Sequence, residues 1–321
     1  MKQLTRPMRR LFLASALLVP VLSACSPQSD HGAAVNDEQS ASKPHIGSPV
    51  MDELVSLDYS GVRDETITLT DGRWEGKPYE DGAASRPVVS LVNDFYLHGD
   101  LDGDGHNEAV VILRATDAGT GSNTYVAVTT RRDGVPVNIG TALIGDRVQL
   151  RGGRLEDGRI ELDLVRQGPN DAACCPGETV TRVWELGPDG LVEGAEQDTG
   201  RLSLSDLEGQ EWLLEGMSED QPVPDGLKVS LSFSSDRISG HSACNRYFGS
   251  VTAGDSPGDI TLSKLGSTRM SCPPEAMELE DSYLQALEGV TRFSFLNGKL
   301  VLTWQQDDGG IKRLLFVPKE R

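Results

Sequence analysis

Between Lys228 and Ser234 the chain alternates strictly, with Val229, Leu231 and Phe233 set against Ser230, Ser232 and Ser234. A period of two predicts a strand with one buried and one wet face. Apolar stretches of strand length recur upstream. Strands are predicted within Val88 to Leu91, Ala109 to Leu113, Tyr125 to Thr130, Val148 to Leu150, Ile160 to Val165 and Val180 to Leu186. Between such stretches stand Asp71-Gly72, Asp81-Gly82, Asp133-Gly134, Asp157-Gly158, Asp189-Gly190 and Asp225-Gly226. Asp-Gly is a hairpin signal because glycine accepts positive φ and aspartate tolerates the left-handed region. One helix is predicted after Pro273-Pro274. Tyr283, Leu284 and Leu287 share a face there, with Met277 two turns earlier, while Glu278, Glu280, Asp281 and Gln285 lie off it. Leu300 to Trp304 and Arg313 to Val317 read as closing strands. The predicted fold class is mostly β with α+β elements, in two small domains.

The first residues break this pattern. Lys2, Arg6, Arg9 and Arg10 precede an apolar run from Leu11 to Leu22, with no acid among them. The run is shorter than the roughly 20 residues a membrane-spanning helix needs, and fits a signal-peptide core. It ends in Leu22-Ser23-Ala24-Cys25. A large aliphatic residue, two small ones and a cysteine resemble the lipobox of bacterial lipoproteins. The resemblance implies cleavage before Cys25 and a lipid on its thiol. By the enteric sorting rule, Ser26 in place of aspartate implies the outer membrane, with the folded part facing the periplasm.

From Ser26 to Val50 the chain is polar and poor in large apolar residues, too little to build a core, so 26–50 is expected to be a flexible tether. A β-rich domain is expected over 51–196, a short hinge follows at 197–206, and the second domain covers 204–321. Loss of the four basic residues before Cys25 takes the formal charge from −19 to −23. Such a surface repels nucleic acid and anionic lipid and attracts cations. The same charge fits a salty habitat.

Within the second domain several motifs stand in order. Leu207-Glu208-Gly209 and Trp212 lead to the strand ending in Phe233. Gly240-His241-Ser242-Ala243-Cys244-Asn245-Arg246-Tyr247-Phe248-Gly249 follows, then Thr268-Arg269-Met270-Ser271-Cys272, the helix with Glu280 and Leu284, and Gly298-Lys299-Leu300. This set resembles the META domain, as in the HslJ-like heat-shock lipoproteins. The resemblance spans Leu207 to about Pro318. It implies a compact β-sheet with one helix, an envelope location and a link to stress, and it brings no catalytic activity. Cys244 and Cys272 fall in adjacent META motifs and are expected to pair; the alternative is two buried thiols.

An acidic loop, Asp100-Leu101-Asp102-Gly103-Asp104-Gly105-His106-Asn107-Glu108, runs into the strand from Ala109. Calcium takes six to eight oxygens, and a tight loop offers them at alternate positions. Asp100, Asp102 and Asp104 would supply positions one, three and five. The His106 carbonyl would supply position seven and the Glu108 carboxylate position nine, with Gly105 at the sharp turn. Val111 stands where an EF-hand has its last acid. The loop instead resembles the strand-to-strand calcium loops of FG-GAP repeats, which come in tandem, whereas one is found here. Without a cation the carboxylates would repel one another. The alternative is a polar hairpin tip.

Cys174 and Cys175 are neighbours. A vicinal disulfide would stiffen their loop. A soft-metal or redox role is the other reading, although the two-residue spacing of redox pairs is lacking. Gly240 to Cys244 approaches a nucleophile elbow, but Cys244 replaces its last glycine and the context is strand and loop. Of five histidines, His31 and His45 lie in the tether, His98 and His106 flank or enter the acidic loop, and His241 lies in the META motif; no zinc spacing emerges. The expectation is a non-enzymatic, lipid-anchored envelope protein that binds a protein or cell-wall partner and no nucleic acid. A calcium-dependent periplasmic enzyme, with its site in the first domain, and an outer-membrane assembly factor are the alternatives.

Overall fold

The computed structural model describes residues 47–319 apart from 118, 120, 173, 219–220 and 306–308. The predicted signal, Cys25 and most of the tether lie outside the described residues. Strands dominate, as the sequence predicts. In the N-terminal half, α1 is Met51–Leu54, and the strands are β1 Asp58–Tyr59, β2 Ile67–Thr68, β3 Arg73–Glu75, β4 Val88–Gly99, β5 Glu108–Thr116, β6 Ser122–Arg132, β7 Val135–Asp146, β8 Gln149–Glu156, β9 Arg159–Arg166, β10 Glu178–Gly187, β11 Gly190–Glu193 and β12 Gln197–Arg201.

Strands β3 to β7 form one antiparallel sheet in chain order, and β8 to β11 form a second. The unbroken apolar run of β5 has a structural cause, because residues 108–113 are all buried. Val110 and Ile112 join Val126, Val128, Leu150, Ile160, Leu162, Leu164 and Trp184 in a core. Ala109, Val111 and Leu113 join Leu54, Tyr59, Ile67 and Leu69 from the segment before β3. A strand covered on both faces has no wet side, so its side chains need not alternate in polarity. The cap over 51–69 has no element in the sequence reading, since its pieces are too short to show a period.

Asp133-Gly134 joins β6 to β7 and Asp157-Gly158 joins β8 to β9, each with both residues at positive φ, which suits the twist of a two-residue hairpin. Pro188-Asp189 joins β10 to β11, with Gly190 opening β11 opposite Gly187, whereas Asp81-Gly82 and Asp225-Gly226 sit inside longer connections. The expected hinge is structured. Its first five residues are β12, paired with β10, and residues Leu204–Leu207 form a 3-10 turn. Residues 47–50, expected at the end of the tether, are held. Arg131 Nε donates to the Gly47 carbonyl at 2.9 Å, and the Tyr96 hydroxyl donates to the Pro49 carbonyl at 2.8 Å.

The C-terminal half adds β13 Glu211–Gly216, β14 Val229–Ser234, β15 Arg237–Ser242, β16 Arg246–Ala253, β17 Ile260–Leu262, β18 Gly266–Ser267, α2 Pro274–Glu288, β19 Val290–Leu296, β20 Lys299–Gln305 and β21 Ile311–Pro318. The sheet runs β17-β16-β15-β14-β13-β21-β20-β19. Its ends meet through an Asp259–Arg292 bridge and the Phe293 amide on the Gly258 carbonyl, giving a barrel-like closure. Val229, Leu231 and Phe233 all enter its core with Tyr283 and Leu287. The predicted helix face needs correction, since Glu280 is buried and Met277 is 43% exposed. Ala276, Glu280, Tyr283 and Leu287 form the inward stripe at spacings of four, three and four. Met277 stands one residue, about 100° of helix turn, away from it.

The halves touch through the β19–β20 hairpin. Its Asn297 accepts from Arg114 Nη2 and donates to Asp94 Oδ1, each at 2.9 Å, and the Gly298 amide reaches the Leu150 carbonyl. Asp94 is available because β4 shifts register between Leu91 and Tyr96. Such a bulge re-aims side chains that a regular ladder would hold in place. Lys299 lies between Asp94 at 3.0 Å and Glu215 at 2.8 Å. Arg151 pairs with Asp206 and lies over the Phe295 ring. Asn297→Ala removes two of these bonds and is expected to cost about 1–2 kcal/mol. A change in the urea midpoint equivalent to less than 0.3 kcal/mol, far under ~1, would count against the contact.

Candidate functional site

The acidic loop connects β4 to β5 and is built on its own carboxylates. Asp100 accepts from the amides of Gly103 at 2.7 Å and Gly105 at 3.0 Å. Asp102 accepts from the Asp104 amide at 3.1 Å, and Asp104 from the His106 amide at 2.7 Å. Gly103 and Gly105 adopt positive φ, which lets the loop curl around Asp100. Glu108 differs from the others because it opens β5, where the strand is covered on both sides. It is 1% exposed. Its two oxygens accept from the Leu101 amide and the Thr130 hydroxyl, both at 2.9 Å. Burial, the largest effect, pushes its carboxyl above the usual range; these two hydrogen bonds oppose the shift, and the charges of Asp102 and Asp104 add to it.

Of the five predicted metal-site residues, the fold brings three carboxylates together. Asp100, Asp102 and Glu108 offer oxygens that all lie within 4.8 Å of one another. Oxygens bound to one calcium at 2.3–2.6 Å cannot lie more than about 5 Å apart, so the set fits that ion. The Asp104 carboxylate lies outside this group. His106 is exposed and lines a cavity of about 230 Å³ with Gly47, Asn107, Thr130, Arg131 and Asp133. His98 is exposed on β4.

A second polar cluster lies in the C-terminal half, where sequence reading marked only motif residues. Glu280 Oε2 accepts from the Ser242 hydroxyl and the Asn245 amide, both at 2.7 Å, and Oε1 accepts from Asn245 Nδ2 at 3.0 Å. Asn245 Oδ1 accepts from the Thr268 hydroxyl and the Met270 amide, also at 2.7 Å. A disulfide joins Cys244 to Cys272 beside this network. The strand turn, the 268–272 segment and the helix are thereby tied at one point. Ser242 is fully buried and donates to a carboxylate, so it is no exposed nucleophile. Tyr247 packs edge to face on Tyr283 and their hydroxyls meet at 2.7 Å, while neighbouring Phe248 is 58% exposed. Burial raises both tyrosines' ionisation well above the usual range.

Cys174 and Cys175 also form a disulfide, in a loop fastened at its base. Asp171 accepts from the amides of Gly168 and Gly177, both at 2.8 Å, and pairs with Arg201 of β12. Asp171 was not singled out from sequence, because its charge partner Arg201 lies 30 positions away and is brought to it only by the pairing of β12 with β10.

Residues 205–320 match the family model described as META domain. No curated protein matches the chain. Among solved structures, an NMR structure of a protein from Burkholderia xenovorans is 27% identical over 42% of this chain and 98% of that one, with a TM-score of 0.29. By the family match, residues 205–320 are similar to META domains, close to the limits of Leu207 and about Pro318 that the sequence motifs suggested.

Proposed function

We propose that this chain is a non-enzymatic envelope lipoprotein, anchored through Cys25, whose META-like half serves a stress-related binding role facing the periplasm. The META match over 205–320 carries this reading. The lipobox-like Leu22-Ser23-Ala24-Cys25 supports the anchor. The HslJ-like character of the second half belongs to the same proposal. The partner is an envelope protein or a cell-wall component, and the acidic surface disfavours nucleic acid. Growing cells with an alkyne-labelled palmitate tests the anchor directly. The wild-type chain is expected to take the label and Cys25→Ser to lose it; equal labelling of both would sink the anchor.

Calcium in the FG-GAP-like loop forms the second element of the proposal. Asp100, Asp102 and Glu108 would hold the ion, with Asp104 and the His106 carbonyl as the other sequence-predicted donors. Its charge would relieve the buried, raised Glu108 and the repulsion of its neighbours. Calcium at a hundred times its dissociation constant is expected to stabilise the fold by about 2.7 kcal/mol. The check is thermal melting after chelation and again after adding millimolar calcium. An unchanged melting temperature would remove calcium from the reading.

A further inference from the structure

The two disulfides differ in ways that imply different roles. Cys244–Cys272 spans 28 positions of sequence, and Cys244 is 2% exposed. Cys174–Cys175 joins adjacent residues. A crosslink between neighbours closes no chain loop and removes little freedom from the unfolded chain. Its loop is also fastened without it, through Asp171, the Gly168 and Gly177 amides and Arg201. On the far side of that clamp, the Gly177 carbonyl accepts from the Leu202 amide at 2.8 Å. Gly177 also lies so close to Pro257 that a Cβ there would come within 2.3 Å of its ring. The vicinal bond is therefore dispensable for holding this segment. It is also asymmetric, since Cys174 is exposed while Cys175 is 7% exposed.

We propose that Cys174–Cys175 is a thiol–disulfide exchange site for small thiols and dithiol proteins, with attack directed at Cys174. A thiolate of the reductant attacks Cys174 Sγ and forms a mixed disulfide there. The Cys174–Cys175 bond breaks, and its electron pair goes to Cys175 Sγ, which takes a proton. A second thiolate then attacks the reductant's sulfur in the mixed disulfide. Cys174 leaves as a thiolate and takes a proton. Two reductant thiols become one disulfide, and the protein disulfide becomes two thiols. The direction follows from access, because an attacking thiolate must reach the sulfur it bonds to, and the other sulfur leaves. The Asp171 clamp keeps Cys174 presented on the surface with Cys175 beside it, so the cycle can run backwards with a low-molecular-weight disulfide. This inference stands independently of the lipid anchor and of calcium.

The test uses the full chain in a series of glutathione redox buffers, with free thiols trapped by alkylation and mapped by mass. Cys174 and Cys175 are expected to be reduced at least about tenfold faster than Cys244 and Cys272. Loss of both pairs together, or of Cys244–Cys272 first, would overturn the proposal. A second arm compares Cys175→Ser with Cys174→Ser under oxidised glutathione. The adduct is expected on Cys174 at least about tenfold faster than on Cys175. Equal or reversed rates would overturn the assigned direction of attack.

Discussion

Glu280→Ala is expected to lower the stability of the C-terminal half by about 3–5 kcal/mol, since a buried donor left without a partner costs ~1–3 kcal/mol and a hydrogen bond to a charged group is worth ~1.5–3 kcal/mol. The carboxylate accepts from the Ser242 hydroxyl, the Asn245 amide and Asn245 Nδ2. The Ser242 hydroxyl can turn to the Asn245 carbonyl and Asn245 Nδ2 keeps the Met270 carbonyl at 3.4 Å, so the unpartnered donor is the Asn245 amide. Asn245 is 4% exposed, and water cannot replace the lost acceptor without opening the cluster. Asn245 also orders Thr268 and Met270, so the damage is expected to spread to the 268–272 segment. Glu280→Gln keeps one acceptor oxygen and the side-chain shape, and is expected to cost about half as much. Urea unfolding, followed by tryptophan fluorescence, reads both variants. A cost for Glu280→Ala below 1 kcal/mol, under the ~3 expected, would show that the cluster adds little.

Replacing Cys244 and Cys272 together by serine is expected to cost about 3–4 kcal/mol, the chain entropy released when a loop of this length opens. At two to four degrees per kcal/mol, the melting temperature should fall by about 10 °C. The paired serine replacement of Cys174 and Cys175 is expected to leave it within about 2 °C, because that bond closes no loop. Differential scanning calorimetry under non-reducing conditions compares the two variants. Similar losses from both would contradict the division between a structural and an exchangeable disulfide. Cys244 adds packing to entropy here, since Asn245 Nδ2 also approaches its sulfur at 3.3 Å.

Several features were legible because they depend on neighbours along the chain. The alternation of Val229, Leu231 and Phe233 gave β14, and two adjacent positive-φ residues at Asp133-Gly134 and Asp157-Gly158 gave tight hairpins. The nine-residue spacing of the acidic loop groups Asp100, Asp102, Asp104, His106 and Glu108, and of these the fold brings the carboxylates of Asp100, Asp102 and Glu108 within reach of one another. The motif order of the second half led to the META resemblance and, through it, to the Cys244–Cys272 pair. The helix was legible as an element but not in its facing. Periodicity places apolar residues inward by default, and it could not show that Asn245 and Ser242 wait for the Glu280 carboxylate.

The sequence by itself determined the β-rich class, the turns, the helix after Pro273, the clustering of acids and the lipobox-like start, because each is set by local spacing and backbone preference. Only tertiary structure decided that Glu108 is buried while its loop partners are exposed, since that depends on two layers closing over β5. It likewise decided that the β4 bulge turns Asp94 toward Asn297 and Lys299, joining the halves across some two hundred positions. Contacts between residues so distant in sequence leave no period to read. They arise from how sheets stack and where a strand gives up its register.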